Sequence, residues 1–289
     1  MTTEIKAGID DLQKNQKTGA TARVAGKEKQ LVALDVDGTL VDHEGQMSEA
    51  VRQAAQAVVD AGHDVMIATG RSLNATLPIA QKIGMRRGYC VCSNGGVMLR
   101  VDTDLPDGYK ILNRVTFDPK PALLALREKL PTAKYALEDD QGDFLSTERF
   151  QDASFGLEAQ AVDFNRMLEA TAVRVVVFSA ETNPNDFATA IESVGLHGVT
   201  YSVGWTSWLD IAAAGVTKAS ALEDLRQELD VDPSVTVAVG DGRNDIEMIS
   251  WAARGVAMGQ APAEVVDVAS EVTASVYDDG AASVLRSLL

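Results

Sequence analysis

Leu31-Val32-Ala33-Leu34-Asp35-Val36-Asp37-Gly38-Thr39-Leu40 decides the reading of this chain, because an apolar, strand-like run ends in two carboxylates, a glycine and a threonine. Asp35 and Asp37 are two apart, so on extended backbone their side chains start on one face. At a spacing of ~5 Å and an effective dielectric of ~20 they repel by about 3 kcal/mol, so a cation must answer them. A solvated Asp-Gly turn at a strand end is the plain alternative. The residues further along weigh against it.

Outward from this stretch, short β-rich runs alternate with amphipathic segments, the pattern of βαβ units on a parallel sheet. Ser48 caps a helix that Gly62 stops. Asp64 to Thr69 is a second apolar strand, ending in Thr69-Gly70-Arg71, and a helix follows to about Ile83. Tyr89 to Cys92 is a third strand, ending in Ser93-Asn94-Gly95-Gly96. Three strands thus finish in small polar residues, and the carboxyl edge of an open α/β sheet is where ligands bind.

After about residue 97 the character changes. Hairpin-like pieces are followed by a helix opened by Pro119 and Pro121, acidic turns from Glu138 to Asp143, and a strand over Arg174 to Phe178. A helix after Pro184 and a strand over Val199 to Val203 complete a separate α+β unit. The first pattern resumes at Trp208-Leu209-Asp210-Ile211, with a helix from about Thr217 and a strand over Val235 to Val239 that ends in Gly240-Asp241-Gly242-Arg243-Asn244-Asp245. The expected fold class is α/β, with one domain (residues 31–96 and 207–289) interrupted by another (97–206). There is no internal repeat or low-complexity tract.

The 289 residues, 46% hydrophobic and 24% charged, suffice for two domains with a sizeable core. A formal net charge of -16 argues against nucleic acid or an anionic membrane as partner, since both demand a basic face. An anionic substrate must then be drawn in by local cations. The two cysteines, Cys90 and Cys92, fall on one face of a strand and are read as buried free thiols. Residues 1–30 are polar, without the apolar core of a signal peptide, and no run of 18 apolar residues occurs. The expectation is a soluble cytoplasmic protein, with residues 1–30 as a frayed helix, a disordered tail or an expression remnant.

Four features fall at strand ends or helix starts of the same layer. Asp35 and Asp37 are the first. Thr69 and Arg71 offer an oxyanion a hydroxyl, backbone N–H groups and a guanidinium. Lys218 lies in the first turn of a helix, where the dipole disfavours a cation by roughly 0.3 to 1 kcal/mol, so its placement against local preference points to a site. Asp241, Asn244 and Asp245 form a second acidic cluster. Two such clusters at one sheet edge suit a hard divalent cation, Mg²⁺, held by carboxylates and water. Zinc is set aside, because His43, His63 and His197 are scattered and the cysteines lack a partner set.

A carboxylate nucleophile, a second carboxyl as acid and base, a metal ion, a lysine and a hydroxyl make a consistent set for phosphoryl transfer through an aspartyl-phosphate. A glycosidase reading of Asp35 and Asp37 leaves Lys218 and Thr69 without a role. Neither GxxxxGK[ST] nor GxGxxG follows a strand.

With these residues in place, the chain resembles the haloacid dehalogenase-like superfamily and, within it, the Cof-type sugar-phosphatase branch. The matching pieces are LDVDGTLVD, IATGR, SNGG, the lysine of GVTKASAL, GDGRNDIEM, GVAMG and the late DDG, spanning about Leu31 to Leu289 in the family's order. The resemblance implies a Rossmann-like core with a cap inserted after the third strand, closing over the site and choosing the leaving group. It makes Asp35 the nucleophile and Asp37 the general acid and base. Thr69 would bind the phosphoryl group and Lys218 would orient Asp35 and the phosphate. Asp35, the backbone carbonyl of Asp37 and Asp241 would coordinate Mg²⁺, with Asp245 and Asn244 supporting that shell. Gly38, Thr39, Gly70, Arg71, Asn94 and Asn244 are the substrate-contact candidates. In the cap, Arg149 and Arg174 are candidates to meet an anionic or hydroxyl-rich substrate, and Trp205 and Trp208 either stack on a sugar or pack the hinge.

Two positions depart from the branch's pattern: Ile249 to Gly255, and Gln260 where Asn is frequent. Both are expected to affect packing and at most a minor contact to the cap. The expected activity is a Mg²⁺-dependent phosphatase acting on small phosphorylated metabolites, most of all sugar phosphates, as a monomer or small homo-oligomer. A phosphomutase of the phosphomannomutase kind is the alternative enzyme. A non-catalytic phospholigand sensor is the alternative from another class.

Overall fold

Leu31–Leu34 is a strand buried along its whole length, at the middle of an eight-stranded sheet. The protein is described by a computed structural model over residues 23–24, 27–148, 152, 154–204 and 206–289. From one edge the sheet runs Glu271–Val272, Arg254–Ala257, Thr236–Gly240, Leu31–Leu34, Asp64–Ala68, Arg87–Cys92, Val97–Asp102 and Tyr109–Arg114. The first six strands are mutually parallel, and the last two add an antiparallel hairpin.

Both faces of this sheet are covered, which is why its strands read as continuous apolar runs rather than alternating ones. Val32, Leu34, Val65, Ile67, Cys90 and Cys92 face helices Glu49–Asp60, Leu73–Lys82 and Gly280–Ser287. The intervening Leu31, Ala33, Met66, Ala68, Tyr89 and Val91 face helices Lys218–Glu228 and Ile246–Trp251. Cys90 and Cys92 are buried free thiols sharing one face. The doubly wound α/β architecture expected from the sequence is therefore present.

The inserted unit is a six-stranded sheet in the order Gln160–Ala161, Phe144–Ser146, Lys134–Asp139, Ala172–Phe178, Trp208–Ala213, Val199–Val203. Its helices Lys120–Lys129, Phe164–Leu168 and Pro184–Val194 share one hydrophobic cluster with Tyr135, Leu137, Val175, Val177, Leu209 and Ile211. The alternate residues of the same strands, among them Glu138, Arg174 and Asp210, take the opposite face.

Three expectations shift. Val97–Asp102 and Tyr109–Arg114 belong to the core sheet, so the second unit begins beyond Arg114 rather than at 97. Trp208–Ala213 pairs with Ala172–Phe178 and Val199–Val203, so the second unit continues to Ala213 instead of ending at 206. Period and polarity give a strand but not its neighbours, and hydrogen-bond pairing decides the boundary. Glu138 lies on no turn. It is a strand residue only 2% exposed. Of residues 1–30, Arg23–Val24 pairs antiparallel with Lys27–Glu28, and residues 1–22 and 25–26 lie outside the described residues.

Candidate active site

The carboxyl ends of four adjacent parallel strands supply the site. Asp35 follows Leu31–Leu34 and its N–H donates to the Val239 carbonyl at 3.0 Å, extending the ladder by one bond. Asp241 follows Thr236–Gly240 on the neighbouring strand, Thr69 follows Asp64–Ala68, and the Ser93–Gly95 turn follows Arg87–Cys92. Lys218 arrives from the opposite direction as the first residue of helix Lys218–Glu228, after Thr217 and Ser220 close a capping box. On that helix it shares a buried face with Ala221, Leu222 and Leu225, which steers its ammonium into the sheet edge.

Lys218 Nζ donates to Asp35 Oδ1 at 2.7 Å and to Asp245 Oδ1 at 2.6 Å, and its side chain is fully buried. Asp245 Oδ2 accepts the backbone N–H groups of Asp241 and Gly242 at 3.0 and 2.9 Å. Oxygens of Asp35, Asp241 and Asp245 lie within 4.8 Å of one another, all on buried residues. Three carboxylates against one ammonium leave an excess of two negative charges when all are ionised. Burial, then the Asp245 charge, holds the Asp35 carboxyl well above the usual range despite Lys218. Burial and Asp245 likewise push Asp241 up to about 6. Burial works against the charge on Lys218, but Asp245 and Asp35 outweigh it and raise its pKa. Such a pocket asks for a cation.

The donor set fits a hard divalent ion. It is all oxygen, and with Asp245 committed to Lys218 and two backbone N–H groups, Asp35 and Asp241 remain as the carboxylates facing an ion. The backbone has made room here. Gly38 has φ +78°, and a Cβ at that position would lie 2.1 Å from Asp241 Oδ2. Only glycine lets the turn after Asp37 approach so closely.

Asp37 stands apart from the cluster. Its side chain is 57% exposed and holds Arg71 in a two-pronged pair, Nε to Oδ2 at 2.9 Å and Nη2 to Oδ1 at 2.6 Å. Thr69 is fully buried and its Oγ1 accepts the Arg71 N–H at 3.1 Å. Thr39 is also fully buried, and its Oγ1 has no partner among the described residues. Asp35, Asp37, Gly70, Arg71, Asp241 and Asn244 line one cavity of about 330 Å³, together with His43 and the cap residues Arg174, Trp208 and Asp210. Gly38, Thr39 and Thr69 are not in that lining. Asn94 lines an adjoining cavity of about 390 Å³ and accepts a hydrogen bond from Asn244 Nδ2 at 3.0 Å. Trp208 packs on Phe178 and donates to Asp210, while Arg149 and Trp205 lie outside the described residues.

Gln260 has more than the minor role expected of it. Its Nε2 donates to the Gly38 carbonyl at 2.6 Å and to Asp241 Oδ2 at 3.1 Å, and its Oε1 accepts the Val276 N–H at 2.9 Å. It fixes one oxygen of Asp241, a carboxylate that would face an ion bound there. The available signal was position: Gln260 comes three residues after Arg254–Ala257, the strand beside Thr236–Gly240.

A family profile described as haloacid dehalogenase-like hydrolase matches residues 32–285. The chain belongs to that family. A phosphoglycolate phosphatase of Methanoculleus marisnigri is 26% identical over 249 residues, covering 86% of this chain and 92% of the relative. A 5-amino-6-(5-phospho-D-ribitylamino)uracil phosphatase of Bacillus subtilis is 27% identical over 263 residues, covering 89% and 94%. A phosphatase of the haloalkanoate superfamily from Bacteroides thetaiotaomicron has a similar structure, with a TM-score of 0.70 and 27% identity over 90% of this chain and 95% of that one. A subclass IIB sugar phosphatase shares the fold, with a TM-score of 0.74 at 21% identity over 90% of this chain and 100% of that one. The chain is thus an enzyme of the phosphoric monoester hydrolase type, and its buried aspartates fit the metal ion that family phosphatases generally use. No helix among the described residues is long and apolar enough to cross a membrane.

Proposed function

We propose that this enzyme is a Mg²⁺-dependent phosphatase that hydrolyses small phosphomonoesters, sugar phosphates foremost, through an aspartyl-phosphate on Asp35. The observation that carries this reading is the Lys218 bridge at 2.7 Å to Asp35, inside a buried carboxylate cluster with excess negative charge. An ammonium there opposes the protonation that burial and Asp245 favour at Asp35, and orients its carboxylate for attack on phosphorus. Asp35 and Asp241 would hold Mg²⁺, with Asp245 tying Lys218 to the Asp241 loop. When bound, the ion supplies the charge neutralisation that lets a carboxylate approach an anionic phosphoryl group.

The remaining steps fall to side chains. Attack by Asp35 forms an oxygen–phosphorus bond and breaks the one to the leaving oxygen, which takes a proton from Asp37. Asp37 then receives a proton from the water that attacks phosphorus and regenerates Asp35. For Asp37 to act, its pair with Arg71 must open, and an arriving phosphoryl group offers Arg71 another anion. The Thr69 hydroxyl, which accepts from the Arg71 N–H, keeps its own proton to donate to a phosphoryl oxygen. The cap residues over the cavity would exclude water and read the leaving group.

Support for a small phosphomonoester comes from the cavity sizes and from relatives named for phosphoglycolate and for a phosphoribityl compound, the second of them a polyol phosphate. Acid quenching during turnover, followed by borohydride, reduces an acyl phosphate to the alcohol. The expected result is homoserine at position 35 by peptide mass spectrometry. Labelling elsewhere, or none during active turnover, contradicts the assigned nucleophile.

A further inference from the structure

On the open face of the cap sheet, Arg174 is 2% exposed yet lines both the catalytic cavity and the adjoining one. Its Nε donates to Asp210 Oδ1 at 2.5 Å, and the other oxygen of Asp210 accepts Trp208 Nε1 at 2.8 Å. The guanidinium carbon stands 5.8 Å from the centre of the Phe155 ring. Asp210 and Phe155 therefore fix its plane, and Trp208 holds Asp210 in place. Yet the bond from Nε is its one hydrogen bond among the described residues, and Nη1 is buried without an acceptor.

A buried donor left unpaired costs roughly 1–3 kcal/mol, and more when charged, so its persistence calls for a partner. Glu138 lies directly across the strand pair from Arg174 but is engaged elsewhere. Its Oε2 accepts Ser93 Oγ at 2.6 Å, no hydrogen bond joins it to Arg174, and burial raises its pKa although the Ser93 bond and then the Arg174 charge lower it. The lysines and arginines lining the two cavities each have a carboxylate in close contact, Arg71 with Asp37, Lys218 with Asp35 and Asp245, Arg243 with Glu264 and Arg174 with Asp210, but of these four Arg174 alone keeps a buried nitrogen without a partner among the described residues. Arg174 is thus a prepositioned fork with free donors, above the site where the phosphoryl group would sit.

We propose that Arg174 binds a second acidic group on the substrate, so that the preferred phosphomonoesters carry a carboxylate or a second phosphate on the leaving group. This rests on the phosphatase reading for where the phosphoryl end lies. Arg174 acts on specificity, by orienting the leaving group, and takes no part in the bond-making steps. Its bidentate geometry suits either anion.

The test compares three open-chain esters that differ at one terminus: sorbitol 6-phosphate, 6-phosphogluconate and sorbitol 1,6-bisphosphate. Binding to the Asp35→Asn protein with Mg²⁺ is measured by calorimetry, so the result does not depend on turnover. One of the two diacids should bind at least ~10-fold tighter than sorbitol 6-phosphate, as expected for a charge-assisted fork, and which one identifies the anion. Adding Arg174→Gln should bring that ratio close to one. Equal binding of all three, or a preference that survives Arg174→Gln, overturns the proposal. If Arg174→Gln fails to fold, Arg174→Lys is read instead: the ratio should fall several-fold, and an unchanged ratio counts against the assignment. Release of phosphate by the unmutated enzyme is followed in parallel. A preference in binding with no release from any ester would overturn the phosphatase reading and leave the Arg174 assignment standing.

Discussion

Lys218 sets one ammonium against the buried carboxylates Asp35 and Asp245, with Asp241 beside them. A lysine in a first helical turn is not by itself expected to hold a helix together, but Lys218 is buried between Asp35 and Asp245. Removing one partner of a buried ion pair costs roughly 3–5 kcal/mol, because the other charges are left uncompensated. Lys218→Ala should therefore lose most activity and also show a clearly lower urea midpoint. An unchanged midpoint would mean that the carboxylates shed their charge at little cost.

Asp241 gives a pH dependence of defined sign. Its folded pKa is raised from 3.8 to about 6, so the folded state holds a proton that the unfolded chain releases. Its contribution to the stability of the metal-free protein is full below about pH 4 and is lost as pH rises through about 6. A cation competes with that proton. The gain in melting temperature from Mg²⁺ over chelator should then grow as pH rises through about 6, and a gain independent of pH would contradict the assignment of Asp241 as a ligand. At this scale Asp35, Lys218, Asp241 and Asp245 were legible, because acidic strand ends and a lysine against the dipole carry a chemical signal. The pairing of Asp37 with Arg71 was not, since a two-residue spacing fixes the starting face but not where a half-exposed side chain turns.

Among the elements, the turn Ser93–Gly95 ties together the Thr69–Arg71 loop, the start of the Lys218 helix and the cap residue Glu138. Ser93, Asn94 and Gly95 have φ of +50, +53 and +105°, a run that costs non-glycine residues of order 1–3 kcal/mol each. It is held by the Ser93 and Asn94 N–H groups, which donate to the Arg71 and Thr69 carbonyls at 2.8 and 3.0 Å. A Cβ on Gly95 would stand 2.4 Å from the carbonyl of Thr217, the cap of the Lys218 helix. Gly95→Ala should displace that helix start. The expected outcome is a drop in kcat with a stability loss above about 1 kcal/mol, and wild-type values for both would show that the turn does not set Lys218. The sequence marked this segment as small and polar at a strand end. Its left-handed backbone was not readable, because serine and asparagine also occupy ordinary turns.

At the scale of the whole molecule, the interruption of one α/β domain by another unit was visible as a change of pattern after the third strand. Its limits were not. The strands Val97–Asp102 and Tyr109–Arg114 differ in polarity from the central ones because they form the antiparallel edge of the core sheet. Trp208–Ala213 resembles a core strand because it is buried between two cap strands. Glu138 and Ser93 then link the units by a buried hydrogen bond, a contact between residues 45 apart that no local pattern announces.

What the joined units do together is read from phosphate release. Sugar phosphates, nucleotides and phosphorylated cofactors would be assayed with Mg²⁺ and with chelator, beside Asp35→Asn. Small phosphomonoesters should release phosphate in a metal-dependent way, with a fall on the order of 10⁴-fold or more in Asp35→Asn. Release that persists in chelator or in that variant would contradict it, and an isomeric sugar phosphate in place of free phosphate would make the enzyme a mutase.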